Sequence, residues 1–232
     1  MLINIRKNCF ETNSSSMHSI VVTNEDAPYS EDELKDDMYI HDHKYEIWNE
    51  ENLYFGRAPF QLLTTFSEKL CYAIASLCGG YTSEEDMARN FEMIENIVKK
   101  HIPELKIIEL PQKYEPIFVT EDGTEVSYYG VWEENDGVLY HHTKGSKEPV
   151  TRSEFDNVSP DCGYVDHESA DLLRSFLEKK DITLEEFLIN KKYCVVIDGD
   201  EYCEWEKMKE TALINKDNIV DEYSTASWWK YH

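Results

Sequence analysis

The residues with the clearest chemical potential lie near the start of the chain, in the stretch RKNCFETNSSSMHSIVV at positions 6–22. Glu11, the hydroxyl run Ser14, Ser15 and Ser16, and His18 are the side chains of interest. A hydroxyl beside an imidazole and a carboxylate has the parts of a nucleophile, its base and the group that orients the base. The pattern therefore indicates a candidate catalytic cluster.

Two further polar side chains in the same stretch, Arg6 and Asn13, favour the binding of an anionic ligand, with the backbone amides of a turn as additional donors. The cluster lies between the apolar runs LINI and SIVV, which are typical of short strands, so we expect it on a turn between paired strands. A Ser/Asn-rich turn whose side chains bond to their own backbone explains the same composition. No G-x-S-x-G motif is present, which weakens the hydrolase interpretation.

The segment from Phe10 to His18 reads F-E-T-N-S-S-S-M-H, with Arg6 just upstream. It resembles the N-terminal signature F-E-T-N-S-S-S-x-H of a group of bacterial and phage proteins. The match is confined to this short stretch. The resemblance implies a mobile-element or host-defence setting, and it implies no activity for any residue.

The charge balance is the strongest global feature, with 47 acidic residues against 23 Lys and Arg and a formal net charge of -24. Such an excess repels nucleic acid phosphates and anionic membranes and attracts basic partners. We therefore expect no direct nucleic acid binding and no membrane binding. A basic protein, such as the nucleic-acid-binding surface of an enzyme, is the expected partner, although solubility alone also explains an acidic composition.

The acids are densest between Glu25 and Glu51, where Lys35 and Lys44 are the only Lys or Arg residues. Aromatic residues are interleaved with these acids and would give such a surface apolar anchors. The sequence predicts a partner-binding face here. Its members are Glu31, Asp32, Glu33, Asp36, Asp37, Asp42, Glu46, Trp48, Glu50 and Glu51.

Three short segments contain the residue types of a metal site: His41–His43, His141–His142 and Asp198–Glu201. Alternate residues of a strand point to opposite faces, so adjacent histidines cannot both join one site. The spacing of an EF-hand loop is absent from the third segment. Surface histidines and a solvated turn explain these segments, and we expect neither a metal nor a cofactor.

The six cysteines are scattered without a C-x-x-C pair, which is typical of reduced thiols in a cytoplasmic protein. Cys71 and Cys78 are seven residues apart on a predicted helix and are expected to be packing groups. No signal-peptide pattern and no long apolar run is apparent, so we expect a protein that is neither secreted nor membrane-spanning.

Local signals predict several helices. Ser30 and Glu33 form a capping-box pattern for the helix SEDELKDD. Apolar spacings of three and four predict a helix over 59–78 that Gly79 ends, and a second helix capped by Thr82 or Ser83 makes a hairpin with it. Further helices are predicted over 169–180, after Thr183, and over 201–214.

Strand signals are distributed differently. MYIHDHKYEIW is predicted to be a strand or strand pair, with Tyr39 among the residues available for burial. The Asp122-Gly123 and Asp136-Gly137 pairs predict hairpins in a meander over 116–142, followed by a loop over 143–163. Tyr193–Ile197 is predicted to be a buried strand.

Together these patterns predict an α+β fold with a mixed, mainly antiparallel sheet on which a helical hairpin and C-terminal helices pack. We expect one compact domain over 1–232, with sub-regions 1–57, 58–102 and 103–232. The function expected first is an acidic interaction protein, such as a phage-type inhibitor that occupies a basic nucleic-acid-binding surface. The alternative is an enzyme that acts on a nucleotide or another anionic small molecule through residues 11–18.

Overall fold

The computed structural model describes residues 16–47, 50–56, 60–80, 82–126, 130–133, 137–143, 146–198 and 216–224, and it has the predicted α+β class with mainly antiparallel strands. Its helices are α1 (Glu31–Met38), α2 (Phe66–Cys78), α3 (Glu84–His101), α4 (Leu172–Lys180) and α5 (Leu184–Ile189). Short 3-10 turns cover Glu50–Leu53 and Lys216–Asn218. None of the helices in the described part of the chain combines the length and apolar character that crossing a membrane requires.

Contacts within the chain define two compact units, where the sequence predicted one domain. Unit 1 comprises Met1–Glu109 and Cys162–His232, and unit 2 comprises Leu110–Asp161. Unit 2 is therefore an insertion in the chain of unit 1. All helices of the described residues belong to unit 1.

Unit 1 contains a four-stranded antiparallel sheet and two small parallel strand pairs. Its strands are β1 (Met17–Thr23), β2 (Lys44–Glu46), β3 (Tyr54–Phe55), β4 (Gln61–Leu63), β5 (Ile107–Glu109), and, after unit 2, β11 (Tyr164–Val165), β12 (Tyr193–Asp198) and β13 (Ile219–Ser224). The sheet order is β13-β1-β12-β4, and the parallel pairs are β2 with β5 and β3 with β11. The central strands β1 and β12 contribute Ile20, Val195 and Ile197 to the core.

Helix α2 is the central helix of unit 1. Thr65 and Glu68 form a capping box at its start, and nearly every residue from Phe66 to Cys78 is buried. It packs against the other four helices of the described residues. Lys69 on this helix is fully buried, and its Nζ donates to the carbonyl oxygens of Phe187 and Asn190 at 3.1 and 2.8 Å, which caps the end of α5. Burial lowers the pKa of Lys69 to about 7.

Unit 2 is an antiparallel sheet of order β7-β6-β10-β9-β8. Its strands are β6 (Gln112–Thr120), β7 (Glu125–Val126), β8 (Val131–Glu133), β9 (Leu139–Thr143) and β10 (Ser146–Pro160). Gly123, at a φ of +87, makes the turn between β6 and β7 that the Asp-Gly pair predicted.

Several local predictions are confirmed. Ser30 forms the capping box of α1, Ser83 caps α3, and Thr183 accepts a hydrogen bond at the start of α5. The buried strand at Tyr193 and the end of α2 at Gly79 are also as predicted.

Two local predictions are wrong, and a third is confirmed only in part. The helix expected from residue 59 begins at Phe66, because residues 61–63 pair with β12 as strand β4. The segment 143–163, expected as a loop, contains the longest strand of the described residues, β10, which is central to the sheet of unit 2. The segment MYIHDHKYEIW, predicted to be a strand or strand pair, contains one strand among its described residues, β2. The first apolar run LINI, the helix expected over 201–214 and the aromatic end SWWKYH lie outside the described residues.

Candidate functional site

Two of the residues singled out from the N-terminal cluster, Ser16 and His18, come together at the start of β1. The Oγ of Ser16 lies 3.0 Å from Nε2 of His18, and both residues are fully buried. The other members, Arg6, Glu11, Asn13, Ser14 and Ser15, lie outside the described residues.

Three residues from distant parts of the chain complete this buried cluster. Tyr72 of α2 places its hydroxyl 3.1 Å from Nδ1 of His18, and Asp166 Oδ2 accepts from the backbone N–H of Ser16 at 3.2 Å and from its hydroxyl at 3.5 Å. Ser169 Oγ accepts from the backbone N–H of His18 at 3.2 Å. The cluster therefore joins β1, α2 and the turn at 166–169 through side-chain hydrogen bonds.

These three partners were not predicted from the sequence. The polar run Asp166–Ser169 between β11 and α4 is a signal that could have indicated a polar site. Tyr72 gives no such signal, because it lies in an apolar helix where a tyrosine is expected as core packing.

Electrostatics fixes the protonation state of the cluster. Burial lowers the pKa of His18 to about 4, against a smaller opposite effect of the Asp166 carboxylate, and burial raises the pKa of Tyr72. His18 is therefore neutral near pH 7. One set of donors satisfies all three hydrogen bonds. The Tyr72 hydroxyl donates to Nδ1 of His18, Nε2–H of His18 donates to the Ser16 oxygen, and the Ser16 hydroxyl donates to Asp166. The proton of the neutral imidazole is therefore assigned to Nε2 from this network.

This geometry differs from that of a Ser-His-Asp catalytic triad. There, the carboxylate contacts the second imidazole nitrogen and stabilises the charged imidazole that forms. Here a neutral phenol contacts that nitrogen and the carboxylate contacts the serine. A base whose pKa is about 4 accepts a proton poorly near pH 7. The arrangement favours a structural role for Ser16 and His18, as a polar network that fixes the position of β1 in unit 1.

The acidic face predicted for partner binding centres on α1. Asp32 and Asp36 are exposed one helical turn apart, and neither has a hydrogen bond or ion pair with another described residue. Asp42 is also exposed, on the turn that follows the helix. The carboxylates of Asp32 and Asp36, which have no partner in the described part of the chain, are available to a basic ligand.

Other predicted members of this face already have structural contacts. Glu31 pairs with Lys35 at 2.7 Å. Glu33 closes the capping box and pairs with Lys191, and these hydrogen bonds lower the pKa of Glu33 to about 2. Asp37 accepts from the backbone N–H of Ser67 at 2.6 Å, and Glu46 is half-buried in β2. Trp48 and the side chains of Glu50 and Glu51 lie outside the described part.

The neighbours Asp36 and Asp37 should therefore respond differently to substitution. Asp37→Ala removes a carboxylate from the first turn of α2 and leaves a backbone N–H without its acceptor, so we expect a loss of about 1–2 kcal/mol in the free energy of unfolding. Asp36→Ala should change it by less than about 0.5 kcal/mol. Urea unfolding of both variants measures the difference, and equal losses would contradict the assigned roles.

Tyr39 is the most unusual residue of this region. It ends α1 in the left-handed conformation, with φ 49° and ψ 57°, and it is 86% exposed. Glycine or asparagine usually occupies this position of a helix, since a side chain with a Cβ is strained there. The prediction that Tyr39 is available for burial is thus wrong. Neither backbone preference nor packing explains a tyrosine here.

The turn that follows Tyr39 is anchored to the rest of unit 1. Asp42 and His43 also have positive φ, at 48° and 67°. His43 contacts the carbonyl oxygen of Glu104 through Nδ1 at 2.9 Å and accepts from Lys106 N–H at 2.8 Å through its own carbonyl. The side chains of His41 and Asp42 remain exposed. The hydrogen bonds of His43 therefore hold the backbone of the turn in place, while His41 and Asp42 extend into solvent.

Two of the histidine and carboxylate segments noted in the sequence differ in their exposure to solvent. Asp198 is buried at the end of β12, whereas His41 is exposed on the turn after α1. Among the described residues, no group of three or more His, Cys, Asp or Glu side chains is placed to hold a metal ion.

Comparison with known proteins adds no relative: no family model, no curated protein and no solved structure matches this chain.

Proposed function

We propose that this chain is an acidic interaction protein that binds a basic surface of a partner protein through the Tyr39 face, which we define as Asp32, Asp36, Tyr39 and Asp42. The partner's surface is one that otherwise binds nucleic acid. In the setting implied by the N-terminal signature, this is the action of a phage-type inhibitor of a host defence enzyme, either anti-CRISPR-like or directed at another defence.

The observation that carries the proposal is the conformation and exposure of Tyr39. A residue held in a sparsely populated backbone region, with no contact to another described residue that accounts for it, supports a functional role. Tyrosine is among the residues that contribute most to binding at protein interfaces, because its ring buries a large area with few rotatable bonds. A partner's arginine can also stack on the ring.

Charge supports the same face. Asp32 and Asp36 on α1 and Asp42 on the turn after it are exposed carboxylates on either side of Tyr39 in the sequence, and the first two have no partner among the described residues. The whole chain has a net charge of -24, which accelerates association with a basic surface. Paired acids such as Glu33 and Asp37 contribute to the field, but their contacts within unit 1 hold them in place.

The decisive experiment compares three forms of the full chain as bait in an extract of the host cell. These are the wild type, Tyr39→Gly, and the double variant Asp32→Lys with Asp36→Lys. We expect the wild type to capture a basic protein whose own DNA or RNA competes with the capture. Each variant should weaken binding to the isolated partner at least about 30-fold, as loss of an interface hot spot does.

A second double variant, Glu121→Lys with Glu125→Lys, is the matched control. It makes the same change in net charge at exposed positions of unit 2. It should keep most of the affinity if the Tyr39 face is the contact. Tyr39→Gly should fold with a free energy of unfolding within about 1 kcal/mol of wild type, since glycine suits the left-handed position. Equal binding by wild type and Tyr39→Gly, or capture that nucleic acid does not compete with, would overturn the proposal.

A further inference from the structure

Two cysteines of unit 1 are brought together by the tertiary structure although 83 residues of sequence separate them. Cys78 is the last residue of α2, and Cys162 is the first residue of unit 1 after the insertion of unit 2. Neither is part of a disulfide, and their exposed fractions are 3% and 4%.

The backbones next to these cysteines are in close contact. The N–H of Gly80 donates to the carbonyl oxygen of Gly163 at 3.1 Å. A Cβ added to Gly79 would lie 2.2 Å from that same oxygen, so only a glycine permits this approach. The two segments are therefore held against each other immediately after each cysteine.

The thiols themselves interact. A hydrogen bond with Cys162, together with burial, raises the pKa of the Cys78 thiol. The two other cysteines in the described part of the chain have different neighbours. The Cys71 thiol forms a hydrogen bond with the hydroxyl of Tyr45, and Cys194 interacts electrostatically with Lys69. Among these four cysteines, Cys78 and Cys162 are the pair whose thiols interact with each other.

We propose that Cys78 and Cys162 are a modification site, at which a peroxide converts the two thiols into a reversible intramolecular disulfide. One thiol loses its proton and attacks an oxygen of the peroxide, which breaks the O–O bond and yields a sulfenic acid and water. The second thiol then attacks the sulfenic sulfur and expels a second water. Two thiols and one hydrogen peroxide thus give one disulfide and two waters, and the peroxide takes up the two electrons that the sulfurs lose.

Two consequences follow from where the pair lies. The disulfide would close a loop that contains α3 and all of unit 2, and cross-links that close long loops restrict the unfolded chain most. The raised pKa of Cys78 keeps its thiolate scarce at neutral pH, so attack by Cys78 on the peroxide should be slow there and faster as the pH rises.

The test uses the full chain, kept native, with hydrogen peroxide as the probe at pH 7 and at pH 8.5. After the reaction the protein is denatured and its remaining thiols are counted and mapped by mass spectrometry. We expect the loss of two thiols, a mass lower by about 2 Da, and one linked peptide pair containing Cys78 and Cys162. The midpoint of thermal unfolding should rise by on the order of 5–10 °C, and dithiothreitol should reverse every change.

Single substitutions identify the atoms involved. Cys78→Ala and Cys162→Ala should each abolish the linked peptide pair and the rise in midpoint, whereas Cys194→Ala should retain both. If a variant at Cys78 or Cys162 fails to fold, the linked peptide pair in the wild type is by itself the test of the proposal. Retention of all thiols after peroxide, sulfonic acids without a link, or a link that uses Cys9, Cys71, Cys194 or Cys203 would overturn the proposal.

Discussion

Replacing Gly163 with alanine is expected to destabilise unit 1 by roughly 3–5 kcal/mol, a large effect for the addition of a single methyl group. Gly163 has a φ of +65°, where an L side chain is strained. A Cβ there would also lie 2.1 Å from the carbonyl oxygen of Leu53 and 2.5 Å from its Cβ. Because the nearest atom belongs to the backbone, the clash cannot be relieved by rotating a side chain.

Gly80→Ala is the matched control for this prediction. Gly80 has nearly the same φ, +64°, but among the described residues, chain neighbours aside, no atom lies within 4 Å of the position that a Cβ would occupy. It should lose only about 1–2 kcal/mol, the strain of the backbone alone. Guanidinium unfolding of the two variants separates the strain from the clash, and similar losses in both would show that the contact with Leu53 is not as close as described.

The second large effect is a dependence of stability on pH that originates at His18. Its pKa is lowered from about 6.5 in the unfolded chain to about 4 in the fold, because the imidazole is buried. Above pH 6.5 the side chain is neutral in both states and contributes no dependence. As the pH falls from 6.5 to 4, the unfolded chain takes up a proton that the fold does not, so stability is lost over this window. The total loss approaches about 3 kcal/mol.

His18→Gln should remove this contribution. The variant is expected to be less stable than wild type at pH 7, because glutamine cannot satisfy both Ser16 and Tyr72 in the same geometry. The difference between variant and wild type should shrink as the pH falls from 6.5 to 4. His41→Gln, at an exposed position on the turn after α1, is the control and should follow wild type throughout. Free energies of unfolding measured in urea at intervals of half a pH unit would show this, and a constant difference across the window would contradict a neutral, buried His18.

The two effects bear on the same part of the molecule. Gly163 precedes β11, and β11 leads into Asp166, which holds Ser16. A close backbone contact at Gly163 and the buried polar network at Asp166 thus lie at the two ends of one short segment, and the network holds Ser16 at the start of β1. The Tyr39 face contains none of these residues, so partner binding can be tested separately from the stability contributed by Gly163 and His18.

Much of the secondary structure was determined by the local sequence. Ser30 and Ser83 cap their helices because a side-chain oxygen within one turn accepts the free backbone N–H groups. The Asp122-Gly123 pair makes its turn because glycine tolerates positive φ, and the run of β-branched residues after Tyr193 forms a buried strand. Each signal involves groups close in sequence, so neither the fold class nor these elements depended on knowing the rest of the structure.

Only the tertiary structure decided the remaining features, because each depends on partners that are distant along the chain. Strand β10 has weak strand signals of its own and exists because β6 and β9 pair with both of its edges. The sequence placed Ser16 and His18 in one cluster, but burial against Tyr72 and Asp166 set their protonation and their role. Composition likewise marked the acidic segment as a whole. In the fold, Asp37 accepts a hydrogen bond from the first turn of α2, Asp36 has no partner among the described residues, and Tyr39 is exposed. These differences arise because the packing of α1 decides which of its side chains contacts a neighbour.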